Sequence, residues 1–272
     1  MNFVKMHGIG NDFVFINGIR LKFPNPEKNS RLLCDRRKGI GADQLLIVKK
    51  SKKADFMMEI YNADGSCVEM CGNGIRCLAK YVTDEKLTSK KELTVETLAG
   101  IQKIRILSKD RYEVDMGEPI LKANLIPMKL KGRVINRPIR LEGREYRVTC
   151  VSMGNPHCVL FVDDLPKYPV TQLGPLLERF YLFPKRTNVE FVEIDSSSEI
   201  HMRTWERGAG ETLACGSGAC AAVVASRLNH LTENKVHVKL LGGSLDIEWS
   251  RSDNHIYMTG TAATVFKGEI EI

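Results

Sequence analysis

The strongest constraint on this chain is an internal repeat. Cys71-Gly72-Asn73-Gly74 is matched by Cys215-Gly216-Ser217-Gly218, 144 positions later. The same spacing, without gaps, places Gly10-Asn11 on Gly154-Asn155, Gln44 on Asn188 and Tyr61-Asn62 on Trp205-Glu206. These matched positions are mostly glycine or polar residues, and they keep one order and one spacing. Self-similarity of this kind marks a chain built from two copies of one unit, and 272 residues suffice for two units with a core each.

Local patterning supports two α+β units. Short apolar runs bounded by turn residues read as strands: Phe13 to Ile16, Gln44 to Val48, Phe56 to Tyr61, Leu93 to Glu96 and Gln102 to Ile106 in the first half. Cys158 to Val162, Asn188 to Ile194, Val236 to Leu241, Leu245 to Trp249 and His255 to Thr259 follow in the second. Gly74 to Val82 and Gly218 to Leu228 lack strand alternation and are rich in Ala, Leu and Arg, so they read as helices. Each is expected to open on the second glycine of a Gly-x-Gly. The strand pattern pauses at Gly117-Glu118-Pro119, which places a boundary between a first half of 1–117 and a second of 118–262. A pseudo-two-fold between the halves would bring both Cys-Gly-x-Gly turns to their interface.

Composition excludes several function classes. A hydrophobic share of 43% with 27% charged residues is that of a soluble globular protein. The net charge of +7 is densest at Lys49-Lys50-Ser51-Lys52-Lys53, but no aromatic side chains interleave with it. It reads as a solvated loop, not a nucleic-acid surface. No apolar run approaches the ~20 residues of a membrane helix. Residues 1–16 carry Lys5, His7 and Asp12 where a signal peptide needs an unbroken apolar stretch, so a cytoplasmic protein is expected. Eight cysteines without a secretory pattern then imply free thiols. None forms a C-x-x-C pair and the six histidines lack paired ligand spacing, so no metal site is expected.

Two cysteines at two helix starts suggest a specific chemistry. A helix N-terminus presents unpaired N–H groups and the positive end of the macrodipole, which favours a carboxylate and lowers the pKa of a nearby thiol. Glycines 72, 74, 216 and 218 would leave those N–H groups open to a ligand. Two such turns acting together could hold one carboxylate between two thiols. Inverting an α-carbon requires removing a proton from one face and returning one to the other. A thiolate and a thiol on opposite sides do this without a cofactor, while the N–H groups stabilise the developing enolate. Cys71 and Cys215 are the candidates; Cys34, Cys67, Cys77, Cys150, Cys158 and Cys220 read as packing residues.

The chain resembles the diaminopimelate epimerase family along its whole length. The carrying motifs in the first half are Met6-His7-Gly8-Ile9-Gly10-Asn11-Asp12-Phe13, Gly41-Ala42-Asp43-Gln44, Tyr61-Asn62-Ala63-Asp64-Gly65-Ser66 and Met70-Cys71-Gly72-Asn73-Gly74-Ile75-Arg76-Cys77. In the second they are Met153-Gly154-Asn155-Pro156-His157, Arg186-Thr187-Asn188, Trp205-Glu206-Arg207-Gly208-Ala209-Gly210-Glu211-Thr212 and Ala214-Cys215-Gly216-Ser217-Gly218-Ala219-Cys220. Ser217 stands where threonine is commoner in the family, and both offer a hydroxyl.

The resemblance implies interconversion of LL- and meso-diaminopimelate on the route to lysine, with no cofactor and usually as a homodimer. It implies two domains, each a mixed β-sheet or barrel wrapped round a central helix, with a C-terminal strand, 263–272, returning to the first. By the same resemblance Cys71 and Cys215 are the acid/base pair, assisted by His157 and Glu206. Gly72, Asn73, Gly216 and Ser217 would hold the reacting carboxylate. Asn11, Gln44, Asn62, Asn155, Asn188, Glu206 and Arg207 would line the cleft and read the distal amino-acid end. That assignment suits the substrate: Arg207 can take a carboxylate bidentately and Glu206 an ammonium.

Two other readings fit parts of the pattern. Proline or hydroxyproline racemases use the same two-thiol logic, but their substrate has no distal end for Asn62, Asn188 and Glu206-Arg207 to read. A non-catalytic redox or binding protein could use Cys71 and Cys215 as a reversible disulfide.

Overall fold

A computed structural model describes residues 1–271 of the chain. It divides into two compact units, Met1–Asp115 with Thr259–Ile272, and Met116–Met258. Ile272, the last position of the expected strand 263–272, lies outside the described residues.

The first unit runs β1 (Asn2–Gly8), β2 (Asn11–Asn17), α1 (Pro26–Leu33), β3 (Gln44–Lys49), β4 (Phe56–Asn62), β5 (Cys67–Val68), α2 (Gly72–Asp84), β6 (Glu92–Thr97), β7 (Gly100–Ile106) and β8 (Arg111–Asp115). The second runs β9 (Arg137–Leu141), β10 (Arg144–Ser152), β11 (Pro156–Phe161), α3 (Val170–Glu178), β12 (Asn188–Ser196), β13 (Glu199–Glu206), β14 (Gly210–Thr212), α4 (Gly216–Leu228), β15 (Lys235–Leu240) and β16 (Gly243–Trp249). Within β17 (Ile256–Thr261) the chain passes back to the first unit, where β18 (Ala263–Glu269) pairs antiparallel with β1.

The two units repeat one topology. In the first, β1 is antiparallel to β2, β2 parallel to β3, β3 antiparallel to β4, and β4 antiparallel to β5 but parallel to β6. In the second, β10 to β15 repeat every one of these relations in the same order. Register repeats as well: Phe13 faces Gln44 across β2 and β3, and His157 faces Asn188 across β11 and β12. Gly10 and Gly154 both hold positive φ, 90° and 95°, in the tight turns that precede Asn11 and Asn155.

A buried helix organises each unit. In α2 every residue from Gly72 to Val82 is buried, including Arg76 and Lys80. It packs on β1, β7, β8 and β18, while α1 lies against β3 and β4. Strands between two helical layers bury both faces and read as continuous apolar runs. Phe13, Phe15 and Leu46 are wholly buried, Phe15 stacks on Tyr81 of α2, and Gly74 of α2 sits beside Leu46 and Phe13. The alternate residues Val14, Ile16, Leu45 and Ile47 join Leu33 and Phe23 in a second core. In the second unit, α4 packs on β10, β11, β12 and β16, and α3 on β12, β13 and β14.

Both central helices start and stop alike. Cys71 and Cys215 are the N-caps, extended at φ −139° and −121°, so the helices open on the first glycine of each Gly-x-Gly, not the second. Both close on a residue in the left-handed region, Lys86 at φ 54° and His230 at φ 60°. Leu87 N–H returns to Val82 O at 2.8 Å, and Leu231 N–H to Ser226 O at 3.0 Å, a Schellman closure in each case. Among the described residues no helix is long and apolar enough to cross a membrane.

Leu78, 0% exposed in α2, has no room to be replaced by solvent. Leu78→Ala is expected to destabilise the first unit by about 2–5 kcal/mol through lost burial and a residual cavity. Leu98→Ala, at a position 66% exposed, should stay within about 0.5 kcal/mol of the parent. Urea titrations followed by circular dichroism compare the two.

Candidate active site

In the first unit the expected residues gather at the N-terminus of α2. Cys71 Sγ lies 3.6 Å from Asn11 Oδ1, and Asn73 Nδ2 donates to the same oxygen at 3.3 Å. Asn73 Oδ1 accepts from the buried guanidinium of Arg76 at 3.0 Å. Asn11 is oriented from behind: its Nδ2 donates to Asp43 Oδ2 at 2.9 Å, which turns Oδ1 towards the thiol. Asp43 in turn pairs with Arg36 at 2.8 Å, and Arg36 clasps Asp12 through two nitrogens, at 2.8 and 3.0 Å. Lys5, Arg36 and the Asp43 N–H surround the Asp12 carboxyl and hold it far below the ordinary carboxylate range against the opposing effect of burial. This polar frame was not legible beforehand, although Asp12 and Asp43 both stand in the quoted motifs.

Gln44 and Asn62 face each other across β3 and β4, with Gln44 Nε2 donating to Asn62 Oδ1 at 2.9 Å. Asn62 Nδ2 is used by Ser66 Oγ at 2.9 Å. Gln44 Oε1 is buried and has no hydrogen-bond partner among the described residues, so it is an acceptor available to a donor such as an ammonium.

In the second unit the corresponding residues gather at α4. Gly218 N–H reaches Cys215 Sγ at 3.4 Å, and Ser217 Oγ lies 3.6 Å from that sulfur. Asn155 Nδ2 donates to Ser217 Oγ at 3.2 Å, and Asn155 Oδ1 lies 2.9 Å from His157 Nε2. The other ring nitrogen, Nδ1, is 2.8 Å from Glu190 Oε1, with both side chains fully buried. Sequence reasoning missed Glu190; its place two residues after Asn188 on β12 puts it on the α4 side of the sheet.

The Glu206 carboxylate accepts from Thr212 Oγ1, and its charge acts on the nearby Cys215 sulfur. Burial raises its pKa, against the lowering effect of the Thr212 hydroxyl. Burial also raises the Cys215 thiol well above its ordinary value, and the charges of Glu206 and Glu190 add to the rise. The helix N-terminus was expected to lower this pKa. It does not, because a single N–H and the Ser217 hydroxyl are outweighed by desolvation and two carboxylates. Cys215 therefore rests as a thiol.

Several residues differ from their expected roles. Gly74 and Gly218 do not open the helix end to a ligand: a Cβ at Gly74 would meet Leu46 Cδ1 at 3.1 Å, and one at Gly218 would meet Glu190 Oε1 at 2.8 Å. They let each helix start lie close on the sheet. Asn188 is buried, with Nδ2 on Pro156 O at 3.0 Å and Oδ1 accepting the Arg207 N–H at 2.9 Å. Its amide thus braces the loop that carries the exposed Arg207, whose Nη1 reaches Lys185 O at 3.2 Å. Gly72 and Gly216 are the first residues of their helices, where by helix geometry the N–H groups have no intrahelical acceptor. Cys67 is exposed on the two-residue β5 and is not a packing residue. The other five expected packing cysteines are buried.

Away from these groups, Asp195, Glu199 and His201 bring possible ligand atoms within 4.8 Å of one another. The Lys239 ammonium ion-pairs with both carboxylates there and supplies the positive charge itself.

Comparison with known proteins places these features. The protein-family model described as diaminopimelate epimerase matches residues 3–122 and 149–265. A diaminopimelate epimerase of Methanococcus maripaludis is 52% identical, with 100% of each chain covered. One from Acetivibrio thermocellus is 49% identical over 100% of this chain and 99% of its own. Among solved structures, a probable proline racemase from Agrobacterium radiobacter superposes with a TM-score of 0.73 at 14% identity, covering 100% of this chain and 93% of that one. That likeness is one of fold.

Glu206 yields a stability test. Burial makes the folded chain hold the Glu206 proton more tightly than the unfolded chain does. That contribution is fully present below the ordinary value of 4.5 and is lost as pH rises through the folded value. E206Q cannot ionise, so it should melt at or above the parent at neutral pH, with the gap closing in acid. Calorimetry across pH checks this, and a variant that melts lower at neutral pH would contradict it.

Proposed function

Because the chain belongs to the diaminopimelate epimerase family, we propose that it interconverts LL- and meso-2,6-diaminopimelate by two-thiol proton transfer at one α-carbon, in lysine biosynthesis. The observation that carries this reading is the pair of equivalent helix N-termini, each capped by a cysteine, in a chain half identical to such epimerases over its full length.

Cys71 and Cys215 take opposite faces of the carbon. Cys215 rests as the thiol and is the ready proton donor. For the reverse direction it must first lose its proton. Glu206 lies near enough to act on that thiol through its charge, and its raised pKa suits it to take the proton up. His157 assists the other transfers. The N–H groups of Gly72, Asn73, Gly216 and Ser217 receive the carboxylate as it gains enolate character. No pyridoxal or flavin is required for this chemistry. At the distal end, Gln44 Oε1 suits the ammonium and Arg207 the carboxylate, with Asn11, Asn62, Asn155 and Asn188 ordering the surroundings. The functional halves correspond to the two Cys-capped units. Family membership also supports a homodimer and a cytoplasmic location; light scattering tests the first.

The reading is tested in deuterated water with LL-diaminopimelate and with L-proline. Deuterium should enter the α-position of diaminopimelate and not of proline. Cys71→Ser and Cys215→Ser should each lower kcat by about 10²–10⁴-fold, as expected for loss of a general acid or base. Deuterium in proline alone would make the protein a proline-type racemase. Near-full turnover by both serine variants would exclude the two-thiol mechanism and leave the cysteines a redox role.

A further inference from the structure

The two units provide an internal control for one buried polar pair. His157 and Glu190 in the second unit stand where the first unit has Phe13 and Leu46, in the same register across the same pair of parallel strands. All four side chains are wholly buried. The places are equivalent in space as well as in sequence. A Cβ on Gly74 would meet Leu46 Cδ1 and Phe13 Cε1, at 3.1 and 3.5 Å, and one on Gly218 would meet Glu190 Oε1. The scaffold therefore accepts a phenylalanine and a leucine beneath the Cys-capped helix. A carboxylate and an imidazole there carry a desolvation cost that the fold does not require. One carboxylate oxygen, Glu190 Oε2, is buried without a hydrogen-bond partner among the described residues, which adds to that cost.

What the pair supplies is orientation. The carboxylate lies 2.8 Å from His157 Nδ1 and, as an acceptor only, keeps the proton on that nitrogen. The opposite nitrogen, Nε2, lies beside Asn155 Oδ1, and the same amide's Nδ2 donates to Ser217 Oγ near the Cys215 sulfur, so Asn155 fixes the positions of these groups without carrying a proton between them. An orienting carboxylate behind a catalytic imidazole sets both its tautomer and its angle. Asn155 corresponds to Asn11, and in the first unit Asn11 meets the Cys71 thiol directly.

We propose that Glu190 is a positioning residue for His157: it holds Nδ1 protonated and the ring fixed, so that proton exchange in turnover runs through Nε2 alone. The balance is simple. When Nε2 passes its proton to a thiolate of the site the ring is left as the neutral Nδ1–H tautomer and the Asn155 amide turns its nitrogen to the bare Nε2; when a thiol returns the proton, the imidazolium charge is met by the Glu190 carboxylate and Asn155 Oδ1 accepts from Nε2 again. Nothing is oxidised and no group is transferred. The inference rests on the reading of His157 as an assistant in epimerisation.

The test joins a spectroscopic and a kinetic measurement. In protein labelled with ¹⁵N-histidine, His157 Nδ1 should show the shift of a protonated ring nitrogen. In E190Q, whose amide can either accept or donate, and in E190L, that signal should move towards a mixture of tautomers. With diaminopimelate, E190Q should lower kcat by about 10–100-fold with KM little changed, and E190L by more. The double variant H157F/E190L copies the first unit and should fold and melt no lower than the parent, while losing turnover. An unchanged Nδ1 signal in E190L, kcat within about 2-fold in both single variants, or failure of the double variant to fold would each overturn the proposal. If the parent fails to turn over diaminopimelate, the functional reading fails instead, and the nitrogen spectra still decide whether Glu190 sets the tautomer.

Discussion

The structure depends on burying a helix together with its amino end. A helix start carries N–H groups that need acceptors, so placing it inside a sheet-wrapped unit is costly unless something else meets them. Each unit uses the same arrangement. A cysteine in extended conformation stands at the N-cap, its sulfur accepting the Gly218 N–H in the second unit, and a glycine in the first turn lets the helix lie against the sheet more closely than a side chain would without its neighbour shifting. The outcome is a helix N-terminus with a sulfur beside it. The Schellman closure at the far end of each helix fixes its length at 13 residues in both units.

Duplication delivers that spot twice, and divergence makes the two unlike. In the first unit the layer beneath the helix start is apolar, Phe13 and Leu46, and the polar groups lie beside the cap, as Asn11 held by Asp43. In the second the layer beneath is charged, His157 and Glu190, and a further carboxylate, Glu206, reaches the cap itself. Burial of the sulfur, joined by two nearby carboxylates, outweighs the helix end, so Cys215 keeps its proton. A reaction that needs one thiol and one thiolate at a time is served by such inequality, because it sets which sulfur holds the proton.

Much of this was legible in the sequence for physical reasons. A constant spacing of polar and glycine positions exposed the duplication, because loops that must adopt positive φ or present a donor tolerate few residues. Strands buried on both faces, such as Phe13 to Ile16, stood out as apolar runs. Less was legible where local signals conflict with tertiary context. The N-terminal strand Asn2–Gly8 carries Lys5 and His7, and the buried Lys5 ammonium is met by Asp12 at 2.6 Å and by the Gly41 carbonyl. The helices Pro26–Leu33 and Val170–Glu178 occupy equivalent places, yet the second holds its proline inside the helix, at 175, and lacks the lysine and arginine of the first. The helix starts were misplaced by two residues because glycine reads as a helix breaker, whereas here it opens the helix.

The site residues were legible as a set and less so in their roles. Asn188 was expected to face a ligand; its amide nitrogen donates to Pro156 O and its oxygen accepts the Arg207 N–H, each leaving one further hydrogen bond possible. Glu190, two residues on, looks in sequence like one more polar residue among the valines and phenylalanine of a strand. Only register distinguishes them. Side chains two apart share a face of a strand, but Asn188 lies at the strand's first residue, where its amide meets loop backbone, while Glu190 lies deeper under the helix. A carboxylate fully enclosed beside a histidine, at a place where the sister unit is content with leucine, is the clearest sign that chemistry and not folding selected the residue.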